Sequence, residues 1–261
     1  MTEKMLMRRD GAIGHMIFNQ PEKRNAVSLE MWKRAQEILD EFQNDPEIRV
    51  VVLSGAGGKS FVSGADISEF EKQRGTTEAQ LHYNTQTTQV YQRIENFPKP
   101  TIAMIQGFCI GGGLNLACAC DLRICSDDLQ IAMPAAKLAL GYPFSAIERL
   151  RNVVGIANAR MLMFTAGRYG AADAYRMGFA QMLVAPEDLD GAVNELAGTI
   201  AGNAPLTVAA MKFISTQVLT DPADRDLDTC QSMVDACFAS EDYKEGRTAF
   251  LEKRKPEFKG R

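Results

Sequence analysis

The amino-acid sequence predicts an α/β fold with largely parallel strands, followed by a helical C-terminal part. The first half alternates strand and helix signals, which is typical of successive β–α units. The run IRVVVLSG at residues 48–55 is continuously apolar and β-branched, as expected of a strand covered on both faces. From Ala146 onward helix signals dominate. We therefore divide the chain into a core of residues 1–195 and a helical region of residues 196–261.

The N-terminal elements follow from turn and capping residues. Residues 13–18 read as a strand that Asn19-Gln20-Pro21 closes. Ser28 can cap a helix that runs to about Asn44 and ends at Asp45-Pro46. The apolar positions of this helix fall on one face; they are Met31, Ala35, Ile38, Leu39 and Phe42.

The middle of the chain repeats this alternation. Residues 77–97 are predicted to be helical, and Pro98 and Pro100 stop them. TIAMI at 101–105 reads as a short buried strand, LNLACAC at 114–120 as a helix, and DLRICS as another strand.

The C-terminal region reads as a series of helices. Pro186 opens a helix through about Ala201, Pro205 opens another through Leu219, and two more follow, ending near Lys253. The helix after Pro205 has more apolar surface than a lone helix can hide, so it should pack on the core or on another subunit. Its apolar stripe consists of Val208, Met211, Ile214 and Val218.

Composition narrows the functional classes. The net charge of -4 argues against nucleic acid as the main partner, because phosphate contacts need a basic face. No apolar run approaches the ~20 residues that span a bilayer, and the N-terminal residues lack the apolar stretch of a secretory signal. Four of the six cysteines lie in apolar segments, which favours reduced core thiols and a cytoplasmic location. Cys118-Ala119-Cys120 has an unusual spacing for zinc, and the chain has only two histidines, so we predict no metal site.

One glycine-rich segment fails as a phosphate-binding loop. GAGGKS at residues 55–60 ends in Gly-Lys-Ser, but the motif needs a further glycine where Leu53 stands. The segment is interpreted as a glycine-rich turn after a strand.

Two other glycine turns carry more information. FVSGADI at 61–67 can aim backbone N–H groups at a ligand through Gly64, although a purely structural turn explains it as well. In GFCIGGGLNLACACDLRI, at 107–124, three glycines precede an apolar helix. That arrangement gathers free N–H groups and the positive end of a helix dipole, which suits an anion or an oxyanion. Close glycine packing is the alternative.

Together these segments resemble a known family. FVSGADI and AMIQGFCIGGGLNLACACDLRI are similar to the two signature segments of the crotonase family, which includes enoyl-CoA hydratases and isomerases. NQPEKRNAVS, TAGRYGAADAYRMGFAQMLVAPEDL and SEDYKEGRTAFLEKRKPEF resemble further family segments in the same order. The resemblance implies a spiral of ββα units with a C-terminal helical trimerisation region, and a homotrimer or homohexamer. It also implies an acyl-CoA substrate, with coenzyme A as part of the substrate and no tightly bound cofactor.

The resemblance also implies a set of site residues. The backbone N–H groups of Ala65 and Gly112 would stabilise an enolate oxygen, each contributing ~3 kcal/mol. Coenzyme A would lie along residues 65–68 and the loop near residues 23–26, and two C-terminal residues would reach the coenzyme A of a neighbouring subunit. For the C-terminal basic segment, a solvated tail is the alternative. The substrate-binding candidates are Lys23, Arg24, Ala26, Ala65, Asp66, Ile67, Ser68, Gly112, Phe250 and Lys253.

The sequence departs from the hydratases of this family at their two glutamates. Asn115 and Ala135 stand at those positions, and neither side chain can move a proton at neutral pH. Hydration by the two-glutamate route is therefore disfavoured. The following stretch, LGYPFSAIERL, is shorter than in hydratases, so we expect a different acyl pocket.

Several side chains could replace the missing acids. Besides Asn115 itself, we place Tyr142 and Glu148 first, because their segment borders the predicted site. Ser145 lies in the same segment, and His82 and Tyr83 lie on a helix that could cover the acyl end. Glu148 could alternatively pair with Arg149, and Asp66 could stabilise its turn.

The sequence leaves the reaction open. An enzyme that stabilises an enolate could catalyse decarboxylation, isomerisation or thioester hydrolysis, or could be a hydratase with relocated acid and base groups. Decarboxylation is favoured among these reactions because loss of carbon dioxide forms the enolate without a general base. A non-catalytic acyl-CoA-binding protein is the alternative outside enzymes.

Overall fold

The strands of the molecule form two sheets. The structure is a computed structural model that describes residues 3–66 and 77–261. The larger sheet has six strands in the order β1-β2-β3-β5-β7-β10, all parallel except for the β1–β2 pair. Its strands are β1 Met5–Asp10, β2 Ile13–Phe18, β3 Val50–Gly55, β5 Thr101–Ile105, β7 Leu122–Ser126 and β10 Met182–Val184. The predicted parallel core is confirmed.

The smaller sheet has four short strands in the order β4-β6-β8-β9. The first two pairs are parallel, and β8 and β9 are antiparallel. These strands are β4 Ser60–Val62, β6 Phe108–Ile110, β8 Gln130–Ala132 and β9 Arg168–Gly170. A strand of only three residues is too short to show a periodic pattern, so the sequence did not predict these four strands.

The helices follow the strands in a repeated order. They are α1 Leu29–Asn44, α2 Thr77–Glu95, α3 Gly112–Ala119, α4 Phe144–Thr165, α5 Ala171–Arg176, α6 Leu189–Ala201, α7 Pro205–Leu219, α8 Leu227–Ala239 and α9 Glu241–Glu252. Along the chain, β3-β4-α2, β5-β6-α3 and β7-β8-α4 each place one strand in each sheet before a helix. This is the ββα spiral that the family resemblance implies.

Strand β3 is buried on both faces, as its continuous apolar run predicts. Val51 and Leu53 belong to the main core, whereas Val50 and Val52 pack in a second core under α6. The alternation of strand side chains explains the split, since successive residues point to opposite faces.

The predicted helix ends are mostly confirmed. The Ser28 hydroxyl accepts a hydrogen bond from the Met31 N–H at 3.3 Å and caps α1. The expected helix from Pro186 is divided into a 3-10 turn, Pro186–Asp188, and α6. Helix α6 runs across the predicted boundary at residue 195. The division into two regions stays a prediction.

The C-terminal segment folds back onto the molecule. Arg49 donates to the carbonyl oxygens of Ala201 at 3.0 Å and Phe258 at 2.6 Å. The backbone N–H groups of Lys259 and Gly260 donate to Asp242, each at 2.7 Å. These bonds hold the chain end against α9. Within residues 3–66 and 77–261, no helix is both long and apolar enough to cross a bilayer.

The cysteines are unpaired, and four of them are buried around α3. Burial raises the pKa of Cys118, Cys120 and Cys125 to about 12, and it raises the pKa of Cys109 well above its usual value. These thiols therefore stay protonated and act as core side chains. Across the described part of the chain, no group of three or more His, Cys, Asp or Glu side chains could hold a metal ion.

Candidate active site

The candidate site is a cavity of about 580 Å³ at the start of α3. Helix α2 forms one wall, with Tyr83, Asn84 and Tyr91. The opposite wall is the loop that joins β8 to α4. Both glycine turns that the sequence singles out reach this cavity.

Pairing with Val27 orients the first turn. The Val27 N–H donates to the Gly64 carbonyl at 2.8 Å, and the Asp66 N–H donates to the Val27 carbonyl at 3.1 Å. Ala65 lies between Gly64 and Asp66. In a parallel bridge, the residue between the two bonded residues turns its own N–H to the opposite side of the strand. The Ala65 N–H is therefore directed away from Val27, and it has no acceptor among the described residues.

The three glycines of the second turn have separate structural reasons. Gly111 has φ +56° and ψ -112°, a combination that side chains with a Cβ avoid. Gly113 lies so close to β4 that an added Cβ would be 1.9 Å from the Val62 carbonyl oxygen. At Gly112 an added Cβ would be 3.7 Å from the Gly64 Cα, so the two turns meet here. Close packing thus explains Gly113, and the oxyanion role predicted for Gly112 stays a prediction.

Gly112 begins α3, so its N–H lacks an intrahelical acceptor. No other acceptor lies among the residues that the structure describes. The Tyr91 hydroxyl donates to the Gly112 carbonyl at 2.9 Å and holds this turn in place. Ala65 and Gly112 thus present two unused N–H groups to one cavity, beside the positive end of a helix. That arrangement can stabilise an oxyanion.

Asn115 lies one turn further along α3 and is 3% exposed. Its Oδ1 accepts a hydrogen bond of 2.6 Å from Arg149 Nη1. The amide also lines the cavity. The position at which the family resemblance predicts an acid in hydratases thus holds a neutral side chain, and Arg149 binds its oxygen.

Arg149 is a buried cation on the wall of the cavity, 3% exposed. Its Nη2 lies 2.5 Å from Glu95 Oε2, and its Cζ lies 5.4 Å from the centre of the Tyr91 ring. The alternative pairing of Glu148 with Arg149 is wrong, because neighbouring residues on a helix do not face each other. Glu148 instead lies 4.0 Å from Arg151.

The structure brings together only some of the predicted acid and base candidates. Tyr83, Tyr142 and Ser145 line the cavity, as does Ala135. Glu148 is not among the lining residues, and its side chain is 43% exposed. The side chain of His82 lies outside the described residues.

The predicted coenzyme A loop lies beside the first turn. Lys23 Nζ lies 2.7 Å from Asp66 Oδ2, and Gln20 Nε2 donates to the same oxygen at 3.3 Å. Asp66 is buried and joins the two loops, as a turn-stabilising carboxylate would. Arg24 stacks over Phe108 with its Cζ 4.8 Å from the ring centre. Ala26 is buried at the base of the loop, and Ile67 and Ser68 lie outside the described residues.

The two C-terminal candidates lie away from the cavity wall. Phe250 is 84% exposed and borders an apolar groove of about 620 Å³ on α7–α9. Lys253 caps α9 with φ +56° and is exposed. Neither residue lines the cavity of its own chain. Their predicted contact with a neighbouring subunit stays a prediction.

The ionisable residues on the wall limit the chemistry of the site. Among the described lining residues there is one cation, Arg149, and no Asp, Glu, His or Lys. The pair of Glu95 and Arg149 was missed from sequence. A usable signal was present, because Arg149 falls on the buried stripe of α4 between Ala146 and Leu150.

Comparisons with known proteins agree with the observed fold. The family description "Enoyl-CoA hydratase/isomerase" matches residues 8–261. A short-chain-enoyl-CoA hydratase from Clostridium acetobutylicum is 36% identical, with 98% of each chain covered. A peroxisomal Δ(3,5)-Δ(2,4)-dienoyl-CoA isomerase from Arabidopsis thaliana is 33% identical over 95% of this chain and 93% of its own. The crystal structure of an enoyl-CoA hydratase/carnitine racemase from Magnetospirillum magneticum has a TM-score of 0.92 at 32% identity, covering 100% and 97% of the two chains.

Proposed function

Because this chain belongs to the enoyl-CoA hydratase/isomerase family, we propose that it is an enzyme that acts on an acyl-CoA thioester. The thioester oxygen would accept hydrogen bonds from the backbone N–H groups of Ala65 and Gly112. Both groups line one cavity and lack acceptors among the described residues, which supports this role. Such donors stabilise the enolate more than the ground-state carbonyl, since negative charge develops on the oxygen.

Among enolate reactions, we propose decarboxylation of a carboxyacyl-CoA. The observation that carries this choice is the absence of Asp, Glu, His and Lys from the described cavity wall. Hydration, and isomerisation by proton transfer, need a group that removes or delivers a proton at carbon. Loss of carbon dioxide needs none for the step that forms the enolate.

Water is the only reactant that the proposed decarboxylation needs besides the thioester. The bond between the α-carbon and the carboxylate carbon breaks, carbon dioxide leaves, and the electron pair becomes the enolate held by the two N–H groups. A proton from water then adds to the α-carbon, and the hydroxide that remains combines with the released carbon dioxide to form bicarbonate. The product is the acyl-CoA that has lost the carboxyl group.

The remaining features extend this proposal. Coenzyme A would lie along residues 65–68 and the loop of residues 23–26, and would be part of the substrate rather than a bound cofactor. We also propose a homotrimer or homohexamer, supported by the exposed apolar groove on α7–α9. Phe250 and Lys253 would then serve the coenzyme A of a neighbouring subunit.

A second candidate is an isomerase or hydratase with relocated acid and base groups. The presence of Tyr142 and Ser145 on the cavity wall favours it, since both carry a hydroxyl. A hydroxyl is a weak base at neutral pH, so this candidate ranks below decarboxylation.

Incubation with a panel of thioesters, followed by mass analysis of the products, tests the proposal. We expect loss of carbon dioxide from malonyl-CoA or methylmalonyl-CoA, and no water gained by crotonyl-CoA. Hydrated crotonyl-CoA at an enzymatic rate would favour the second candidate. Binding without any product would indicate a non-catalytic acyl-CoA-binding protein.

A further inference from the structure

We propose that Asn115 holds the carboxylate of the substrate through its amide N–H, and that Glu95 and Arg149 are positioning residues that fix this amide. The inference rests on the proposed decarboxylation and names its substrate class, thioesters with a carboxylate on the α-carbon. It depends on the direction in which the Asn115 amide points.

That direction follows from hydrogen-bond chemistry. A guanidinium has donors and no acceptor, so the Asn115 atom 2.6 Å from Arg149 Nη1 must be the amide oxygen. The amide nitrogen is then on the other side of the group. It has no acceptor among the described residues, and it is not one of the fully buried unpaired atoms. Since Asn115 lines the cavity, its N–H groups are presented there.

Glu95 makes this arrangement stable. Arg149 is buried, and a buried cation needs a partner. Glu95 supplies it at 2.5 Å, which leaves Nη1 to hold the Asn115 oxygen. Arg149 Nε has no partner in the described structure, so the guanidinium is not saturated with acceptors. The cavity thus presents hydrogen-bond donors where a hydratase presents a carboxylate.

A neutral donor suits loss of carbon dioxide better than a direct ion pair would. The carboxylate loses its negative charge as the carbon–carbon bond breaks. A tight ion pair would therefore stabilise the ground state more than the transition state and slow the step. Because Glu95 already balances the charge of Arg149, the amide can orient the carboxylate without trapping it.

The spacing along α3 defines where the carboxylate lies in the substrate. Gly112 and Asn115 are three residues apart on one helix, less than one full turn, so they are separated by only about 4.5 Å along the helix axis. A thioester oxygen at the Gly112 N–H and a carboxylate at the Asn115 amide are then separated by few bonds. This matches a carboxylate on the α-carbon, as in malonyl thioesters, better than one at the far end of a long acyl chain.

The test compares malonyl-CoA with butyryl-CoA, which has no carboxylate, in five variants of the full-length protein. Asn115→Asp keeps the size and the bond to Arg149 but turns a negative oxygen toward the cavity. Asn115→Ala removes the donor. For malonyl-CoA decarboxylation we expect kcat/KM to fall about 10- to 100-fold in the alanine variant, and at least as far in the aspartate variant. The Kd of butyryl-CoA should change less than about 2-fold. Asn152→Asp, the same substitution on the exposed surface of α4, should leave both values unchanged.

Arg149→Ala and Arg149→Lys test positioning. In Arg149→Ala, kcat/KM for malonyl-CoA should fall more than the affinity for butyryl-CoA. Arg149→Lys keeps a hydrogen-bond donor and should restore part of this difference. A merely structural role would weaken both thioesters equally and leave the preference unchanged, which would overturn the inference. So would decarboxylation that is unaffected in Asn115→Asp. If the wild-type protein binds butyryl-CoA but releases no carbon dioxide from malonyl-CoA, the proposed function itself is wrong.

Discussion

At the scale of single residues, the site combines two backbone donors with a side chain that cannot carry a proton. Ala65 and Gly112 present N–H groups, and Asn115 presents an amide fixed by Arg149. Ala135 adds no chemistry. These residues can polarise a thioester, but none of them can supply the proton that the α-carbon receives.

Gly112→Pro removes one of the two donors. Proline is tolerated at the first position of a helix, where Gly112 lies, so α3 should still form. We expect kcat to fall about 100- to 1000-fold because one oxyanion donor is lost. Steady-state kinetics on the best thioester of the panel measures this.

Gly112→Ala is the matched control, since it keeps the N–H. Its added Cβ would lie 3.1 Å from the Tyr91 hydroxyl, which requires a small shift of that side chain. The alanine variant should retain most of the activity that proline removes. Equal losses in both variants would show that packing at Gly112 matters and the donor does not.

The sequence predicted the backbone part of the site better than its side-chain part. Glycine turns and the helix start are local signals, so Ala65 and Gly112 could be placed together through the resemblance. The contact of Arg149 with Glu95 joins residues 54 positions apart in the chain. The local pattern indicates that Arg149 is buried but not which residue pairs with it, and only the tertiary fold brings the two side chains together.

At the scale of elements, α3 is a short buried helix that the surrounding strands hold in place. Its residues from Gly113 to Ala119 are buried. This burial keeps the Gly112 N–H in a fixed direction, as a preorganised donor to an oxyanion requires.

The thiols around α3 should be unreactive in the native protein. Burial raises the pKa of Cys118 and Cys120 to about 12, so both thiols are protonated at pH 8, and burial also limits access of the reagent. We expect iodoacetamide at pH 8 to leave Cys109, Cys118, Cys120 and Cys125 unmodified until denaturant is added, as read by peptide mass mapping. Rapid labelling of the native protein would contradict this packing.

Asp121 connects the large sheet to the C-terminal helices. Its Oδ2 accepts from the Thr101 N–H at 2.7 Å and from Lys212 Nζ at 2.7 Å. Asp121→Ala would leave the buried Thr101 N–H unpaired, so the free energy of unfolding should fall by about 2–3 kcal/mol in urea titrations. Asp121→Asn keeps an acceptor and should cost about half as much. A change below about 0.5 kcal/mol in both variants would show that this link adds little stability.

The predictability of the elements depended on their length. The longer elements carry clear local signals and were placed correctly, β3 by its continuous apolar run and α7 by its opening proline and apolar stripe. The three-residue strands β4, β6 and β8 gain their structure from neighbours in the small sheet, so the sequence alone did not indicate them.

At the scale of the whole molecule, the C-terminal helices leave an apolar face uncovered. Met211 and Phe238 are 66% and 61% exposed and line the groove with Phe250. We expect the wild-type protein to sediment as a trimer or hexamer, because a patch of this kind is typical of a subunit interface.

Met211→Asp should shift that equilibrium toward the monomer, since it places a charge in the apolar groove. Leu219→Asp is the control, because Leu219 is 69% exposed on the same helix but does not line the groove. Analytical ultracentrifugation at micromolar concentration separates these outcomes. A monomeric wild-type protein would contradict the proposed assembly.

The central claim is that the enolate forms by loss of carbon dioxide and is then protonated by water. Turnover of malonyl-CoA in heavy water tests it most directly, with the product examined by mass spectrometry. We expect release of carbon dioxide and formation of acetyl-CoA that gains a deuterium at the α-carbon, both strongly reduced in Gly112→Pro. Unchanged malonyl-CoA and methylmalonyl-CoA alongside hydrated crotonyl-CoA would contradict it.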